Sequence, residues 1–147
     1  MKIEQIIDQD IRKSMIGKFE ERTEALRTIK TAIQIEKSKD GKELSDEQVL
    51  KLIQKLVNQR TESANQYTIG GRSDLADHEK VLIDIFKNYL PEQLSEEEIF
   101  SVVKDIITEI GANSMKDMGR VMMKANQTFS GKADTKLVSK IVKNLLN

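Results

Sequence analysis

The chain has 147 residues, 24 Lys+Arg against 24 Asp+Glu for a formal net charge of +0, and hydrophobic and aromatic shares of 38% and 4%. One histidine, one proline, 7 glycines and no cysteine exclude disulfide-stapled and collagen-like classes, thiolate nucleophiles, thiolate–zinc sites and histidine-rich metal centres. A low aromatic share with 33% charged residues suits a helical protein with an aliphatic core, and a neutral total predicts no polyanion partner while leaving room for a local basic patch.

Apolar residues recur at helical spacing almost throughout. Ile3, Ile6, Ile7, Ile11 and Met15 mark one face of a first helix, and Gly17 marks its boundary. Phe19, Leu26, Ile29 and Ile33 form a second stripe, ending in a charged loop from Lys37 to Lys42 around Gly41. Ser45 with Gln48 reads as a capping box. It opens a long third helix facing inward through Val49, Leu50, Ile53, Leu56, Val57, Ala64 and Tyr67, and ending at Gly70-Gly71. Ser73 is placed to cap a fourth helix carrying Leu75, Leu82, Ile83, Phe86 and Leu90, with Val81 and Ile85 widening its face to two covered sides. Pro91, the one proline, disfavours helix in the residue before it, so this helix should end near Leu90.

Ser95 and Glu98 form a second capping box, opening a fifth helix with Ile99, Val102, Val103, Ile106 and Ile110 inward and Gly111 as C-cap. A shorter sixth helix follows Ser114, with Met115, Met118, Met122 and Ala125 on one side. Ser130-Gly131-Lys132 reads as a turn, with φ > 0 at Gly131. Asp134 can cap a seventh helix facing inward through Leu137, Val138, Ile141 and Leu145. The expectation is an all-α protein: an N-terminal four-helix antiparallel domain, 1–90, then a smaller three-helix domain, 91–147. No segment approaches the roughly 18 apolar residues of a membrane span. The acids among the first fifteen residues argue against a secretory signal or transit peptide, so a cytoplasmic protein is expected.

The neutral total hides an asymmetry. Residues 92–109 hold six acids (Glu92, Glu96, Glu97, Glu98, Asp105, Glu109) and one base, Lys104, a net of −5. Residues 110–147 hold seven bases (Lys116, Arg120, Lys124, Lys132, Lys136, Lys140, Lys143) and two acids, Asp117 and Asp134, a net of +5. Lys116, Arg120 and Lys124 stack four apart, and Lys136, Lys140 and Lys143 form a like row on the next helix, with no acid at i±4 in either. With Lys132 between them they would make a phosphate-binding surface. The alternative is the ordinary polar face of two amphipathic helices, covered by the acidic fifth helix.

Other candidates carry less. His78, beside Leu75 and Leu82, reads as a packed or rim residue. Glu96-Glu97-Glu98 reads as helix-dipole and capping acids before a metal cluster. The methionines Met115, Met118, Met122 and Met123 read as core packing before a partner groove. Gly70-Gly71-Arg72 lacks the context of a phosphate loop, and no nucleophile–base constellation can be assembled, so no catalytic residue and no cofactor is expected. The polar run from Asn58 to Ser63 inside the third helix is either solvated or a polar contact. Gly119 either lets something approach the backbone or allows close helix packing.

The chain resembles the stand-alone members of the GatB/YqeY family, small proteins related to the C-terminal tail of the B subunit of the tRNA-dependent amidotransferase. The resemblance rests on Asn88-Tyr89-Leu90-Pro91-Glu92-Gln93-Leu94-Ser95, Lys116-Asp117-Met118-Gly119-Arg120-Val121-Met122 and Ser130-Gly131-Lys132-Ala133-Asp134, with Gln59-Arg60 and Glu62-Ser63 in the N-terminal half. Thr135 stands where many members have glycine. The resemblance implies two helical domains and a tRNA connection, because the tail approaches the outer corner of tRNA. The implied partners are tRNA and an aminoacyl-tRNA synthetase or amidotransferase. Its label, carbon–nitrogen ligase with glutamine as amido-N-donor, belongs to the complete complex, and nothing in this chain supplies that chemistry. The expectation is a non-catalytic tRNA-binding accessory protein without membrane or metal, using the seven bases named above, with Pro91, Gly119, Gly131 and Asp134 shaping the turns. The runner-up is a protein–protein adaptor working through residues 92–109 or 58–63.

Overall fold

A computed structural model describes all residues, 1–147, as seven α-helices without strands. They are α1 (Ile3–Ile16), α2 (Glu20–Ser38), α3 (Asp46–Ile69), α4 (Ser73–Lys87), α5 (Glu96–Ile110), α6 (Met118–Phe129) and α7 (Thr135–Leu146), with a short 3-10 turn, Met115–Asp117, before α6. The chain divides into two compact units, Met1–Leu90 and Pro91–Asn147. None of the helices is long and apolar enough to cross a membrane.

In the first unit the core is aliphatic, closed by one aromatic ring. Ile7, Leu26, Ile29, Ile33, Val49, Ile53, Leu82 and Phe86 are sealed from solvent, and Leu44 in the loop before α3 joins them. The Ser45–Gln48 capping box forms, the Ser45 hydroxyl accepting from the Gln48 N–H. Gly70 and Gly71 end α3, Gly71 at φ +76°, and α4 folds back along α3 as its most extensive partner. The end of α4 winds down through tightened turns, Asn88 to Ile85, Tyr89 to Phe86 and Leu90 to Lys87, so the helix stops three residues before Leu90.

Several expectations fail in this unit, each for a local reason. Phe19 is not a core residue: it holds the N-cap position of α2 and is 62% exposed. Lys18 adopts the left-handed conformation at φ 57° and turns the chain. The ring then lies over Gly17, where an added Cβ would sit 2.5 Å from Phe19 Cε2. Met15 and Ile6 are exposed, because α1 packs mainly against one neighbour, α2. Ser73 does not cap α4; Arg72 stands at that position without a side-chain cap bond. Val81 is exposed, while Ile85 is half-buried against the core and α4 packs against both α3 and α2 through Ala76, Glu79, Leu82, Ile83 and Phe86.

The second unit gathers α5, α6 and α7 around Ile99, Val103, Ile106, Val121, Ala125, Phe129, Val138, Ile141, Val142 and Leu146. The Ser95–Glu98 capping box forms, and Gly111 closes α5 at φ 77°. The sixth helix starts later than its sequence suggests. Residues 115–117 wind as the 3-10 turn, so Met115 lies outside the α-helical face and is exposed, while Val121 and Phe129 take the central core places.

Candidate nucleic-acid interface

The turn between α6 and α7 sets where the basic rows begin. Ser130 caps α6 in the left-handed conformation at φ 46°, and Gly131 follows at φ 85°. The segment after Pro91 clamps this turn from the side. The Leu94 N–H donates to the Lys132 carbonyl at 2.8 Å, and the Gln93 Nε2 amide donates to the Gly131 carbonyl at 2.9 Å. Leu94 packs on the core beneath. Asp134 then caps α7 by accepting from the Lys136 N–H at 3.0 Å. The Pro91–Ser95 motif and the Ser130–Asp134 motif are thus one structural device: the first holds the second rigid and presents Lys132 at its tip.

All seven basic residues, Lys116, Arg120, Lys124, Lys132, Lys136, Lys140 and Lys143, are exposed. At about 100° per residue, Arg120 and Lys124 flank the buried arc of Val121, Ala125 and Phe129 on α6. Lys136, Lys140 and Lys143 lie across α7 from Val138, Ile141 and Val142. Both helices turn their apolar faces to one core, and the two rows run towards the connecting turn that carries Lys132. The first row is not a single α-helical stack, because Lys116 belongs to the 3-10 turn.

The acids of α5 do not cover these rows. Glu96, Glu97, Glu98, Asp105 and Glu109 are exposed, and none forms an ion pair with the seven bases. Glu98 is engaged in its capping box. An ion pair on the basic surface is local: Arg120 Nη2 lies 3.1 Å from Asp117 Oδ1. The other Asp117 oxygen accepts from the Asn113 N–H at 3.0 Å. That backbone hydrogen bond, and then the Arg120 guanidinium, hold the Asp117 carboxyl below the usual carboxylate range. Asp117 thereby ties the α5–α6 connection to the first turn of α6 and orients Arg120. An acid three residues from a base was readable in the sequence; a search at i±4 alone passes it over.

In the first unit the polar run of α3 acquires a structural role. Arg60 reaches Glu79 of α4 at 3.4 Å, and Glu79 is only 7% exposed. The run is therefore in part an interhelical polar contact within the unit, and Glu79 is the residue that sequence reasoning missed. His78 lies 3.1 Å from Glu24 Oε2, at the rim between α4 and α2.

A family model described as Yqey-like protein matches residues 4–146. The chain is similar to "Altered inheritance of mitochondria protein 41, mitochondrial" of Lachancea thermotolerans, 33% identical over 107 residues, which covers 71% of this chain and 57% of that protein. The protein of the same name from Saccharomyces cerevisiae (strain YJM789) is 30% identical over 152 aligned positions, covering 94% of this chain and 80% of its own length. The matched region thus spans little more than half of the first relative. These relatives overturn the expectation of a cytoplasmic protein, since they are named as mitochondrial. The acids among the first fifteen residues belong to a folded helix, α1. Glu4 pairs with Lys30 and Lys37, and Asp8 with Lys30, so they report on packing and not on compartment.

Proposed function

Because the chain belongs to the YqeY-like protein family, we propose that it is a tRNA-associated accessory protein that grips folded RNA through the α6–α7 surface. One observation carries the reading: seven basic side chains of one 38-residue segment, 110–147, are all exposed and free of ion pairs from the neighbouring acidic helix. Lysine and arginine in that setting gain from releasing counterions condensed on phosphates. Two rows on successive helices can each meet a stretch of backbone, which favours recognition by shape over sequence. Arg120 is held in orientation by Asp117, and Lys132 stands on a clamped turn, so part of the surface is preorganised. The partner enzyme in this reading is an aminoacyl-tRNA synthetase or amidotransferase that shares the tRNA.

A filter-binding titration with total tRNA across a salt series tests this. The expected result is binding at low salt with log affinity falling linearly against log salt. No binding at low salt, or a slope insensitive to salt, overturns it.

A further inference from the structure

Gly119 is the second residue of α6. It is exposed, it has no positive φ, and a Cβ built on it would meet nothing within 4 Å. Close helix packing is therefore not its role. A glycine inside a helix is unfavourable relative to alanine, and nothing within the protein requires one here. Its flanks are unusual too. Met115 and Met123, four residues to either side, are 41% and 65% exposed, whereas Met118 and Met122 pack on the core. Met115 is followed by Lys116, Gly119 by Arg120 and Met123 by Lys124. Gly119 and Met123 thus lie one turn apart on α6, each followed by a cation, and Met115 precedes them in the 3-10 turn, so exposed apolar side chains stand before and after the glycine.

Phosphate contacts alone gain nothing from exposed thioethers. Thioethers do make favourable contacts with aromatic rings, and any base outside a duplex offers a flat face that stacks without regard to sequence. A glycine lets such a ring come close to the helix backbone. The net +5 of residues 110–147 selects a polyanion as the occupant. Resting on the RNA reading above, we propose that Gly119 opens a notch between Met115 and Met123 that seats one unpaired nucleobase of the bound tRNA, while Arg120 and the flanking lysines hold the adjoining phosphates. The site then reads an exposed base as well as a backbone.

The test compares intact tRNA with tRNA whose unpaired loop nucleotides are made abasic, one loop at a time. For the wild-type protein, removing the bases of one loop should weaken binding about tenfold. Gly119→Leu, which fills the notch, should bind intact tRNA about as weakly as the wild type binds the abasic form. It should keep the wild-type salt slope and melt at or above the wild-type temperature, because leucine favours helix over glycine. Met123→Ala should reduce the preference in the same way with unchanged melting, and decides the matter if Gly119→Leu disturbs α6. If no abasic loop weakens wild-type binding, or if the variants retain the preference, the notch is refuted while the phosphate surface stands. If wild-type protein shows no salt-dependent binding to intact tRNA, the RNA reading falls and the notch with it.

Discussion

Reversing Arg120 and Lys140 to glutamate separates RNA binding from folding. In α7, Lys140 stands four residues after Lys136 and three before Lys143, all exposed. Lys140→Glu turns two like-charge neighbours into opposite-charge pairs, each contributing about 0.2–0.5 kcal/mol. In α6, Arg120→Glu removes the exposed pair with Asp117, which contributes little, and sets two acids three residues apart. Against this, it places an acid in the first turn of α6, where the helix dipole favours negative charge. The α6 effects are small and opposed, so the double variant should lie between neutral and roughly 1 kcal/mol more stable. For a domain of this size that is a rise of no more than about 4–8 °C in melting temperature. Binding should respond quite differently. Seven phosphate contacts imply a log–log salt slope of about −6, and losing two should flatten it to roughly −4.5. Affinity at low salt should fall on the order of a hundredfold, about tenfold per contact. Filter binding over a salt series, with circular dichroism melting in parallel, reads both. A melting temperature many degrees below wild type would show that these side chains hold the fold together; unchanged affinity and slope would show that the surface does not contact RNA.

Other consequences follow from single contacts. Arg60→Met leaves the Glu79 carboxylate, 7% exposed, without its partner, and should lower urea stability by about 1–3 kcal/mol; the partial exposure of Arg60 keeps this below the 3–5 typical of a sealed pair. Adding Glu79→Gln should recover much of the loss, and a double-mutant cycle that shows no coupling would refute the pair. Gly111→Ala forces an L-residue into φ 77° and should cost about 1 kcal/mol in chemical denaturation, with Gly111→Asn costing less. Burial, and then the hydrogen bond that the Tyr89 hydroxyl donates to Asp10 at 2.6 Å, push the Tyr89 phenol up to about 12. Because the folded value is raised, that stability is complete below about pH 10 and is lost as pH rises towards 12. Alkaline denaturation should show this loss in wild type and not in Tyr89→Phe, and identical pH profiles would refute it.

Where a feature depends on residues three or four apart, it was legible in the sequence. The two capping boxes, the Gly111 and Gly131 turns, the Asp134 cap and the aliphatic stripes of α3, α5 and α7 all formed, because a helix places such residues on one face whatever surrounds it. Expectations failed where a neighbour, and not a spacing, decides. Phe19 fits the apolar stripe of α2 yet is swung outward by the left-handed Lys18. Met15 and Val81 fit their stripes yet stay exposed. Glu79 gave no sign of burial, because its partner Arg60 lies on another helix.

The candidate site divides in the same way. The sequence alone determined the family motifs, the +5 segment and the periodic placement of its cations, since charge and spacing are properties of the chain. Only tertiary structure decided whether those cations were available. It left the acids of α5 exposed and without ion pairs to the seven bases, tied Arg120 to Asp117 and kept the space over Gly119 open. Each of these depends on which helix lies against which, and that is fixed by how three apolar faces close on one core.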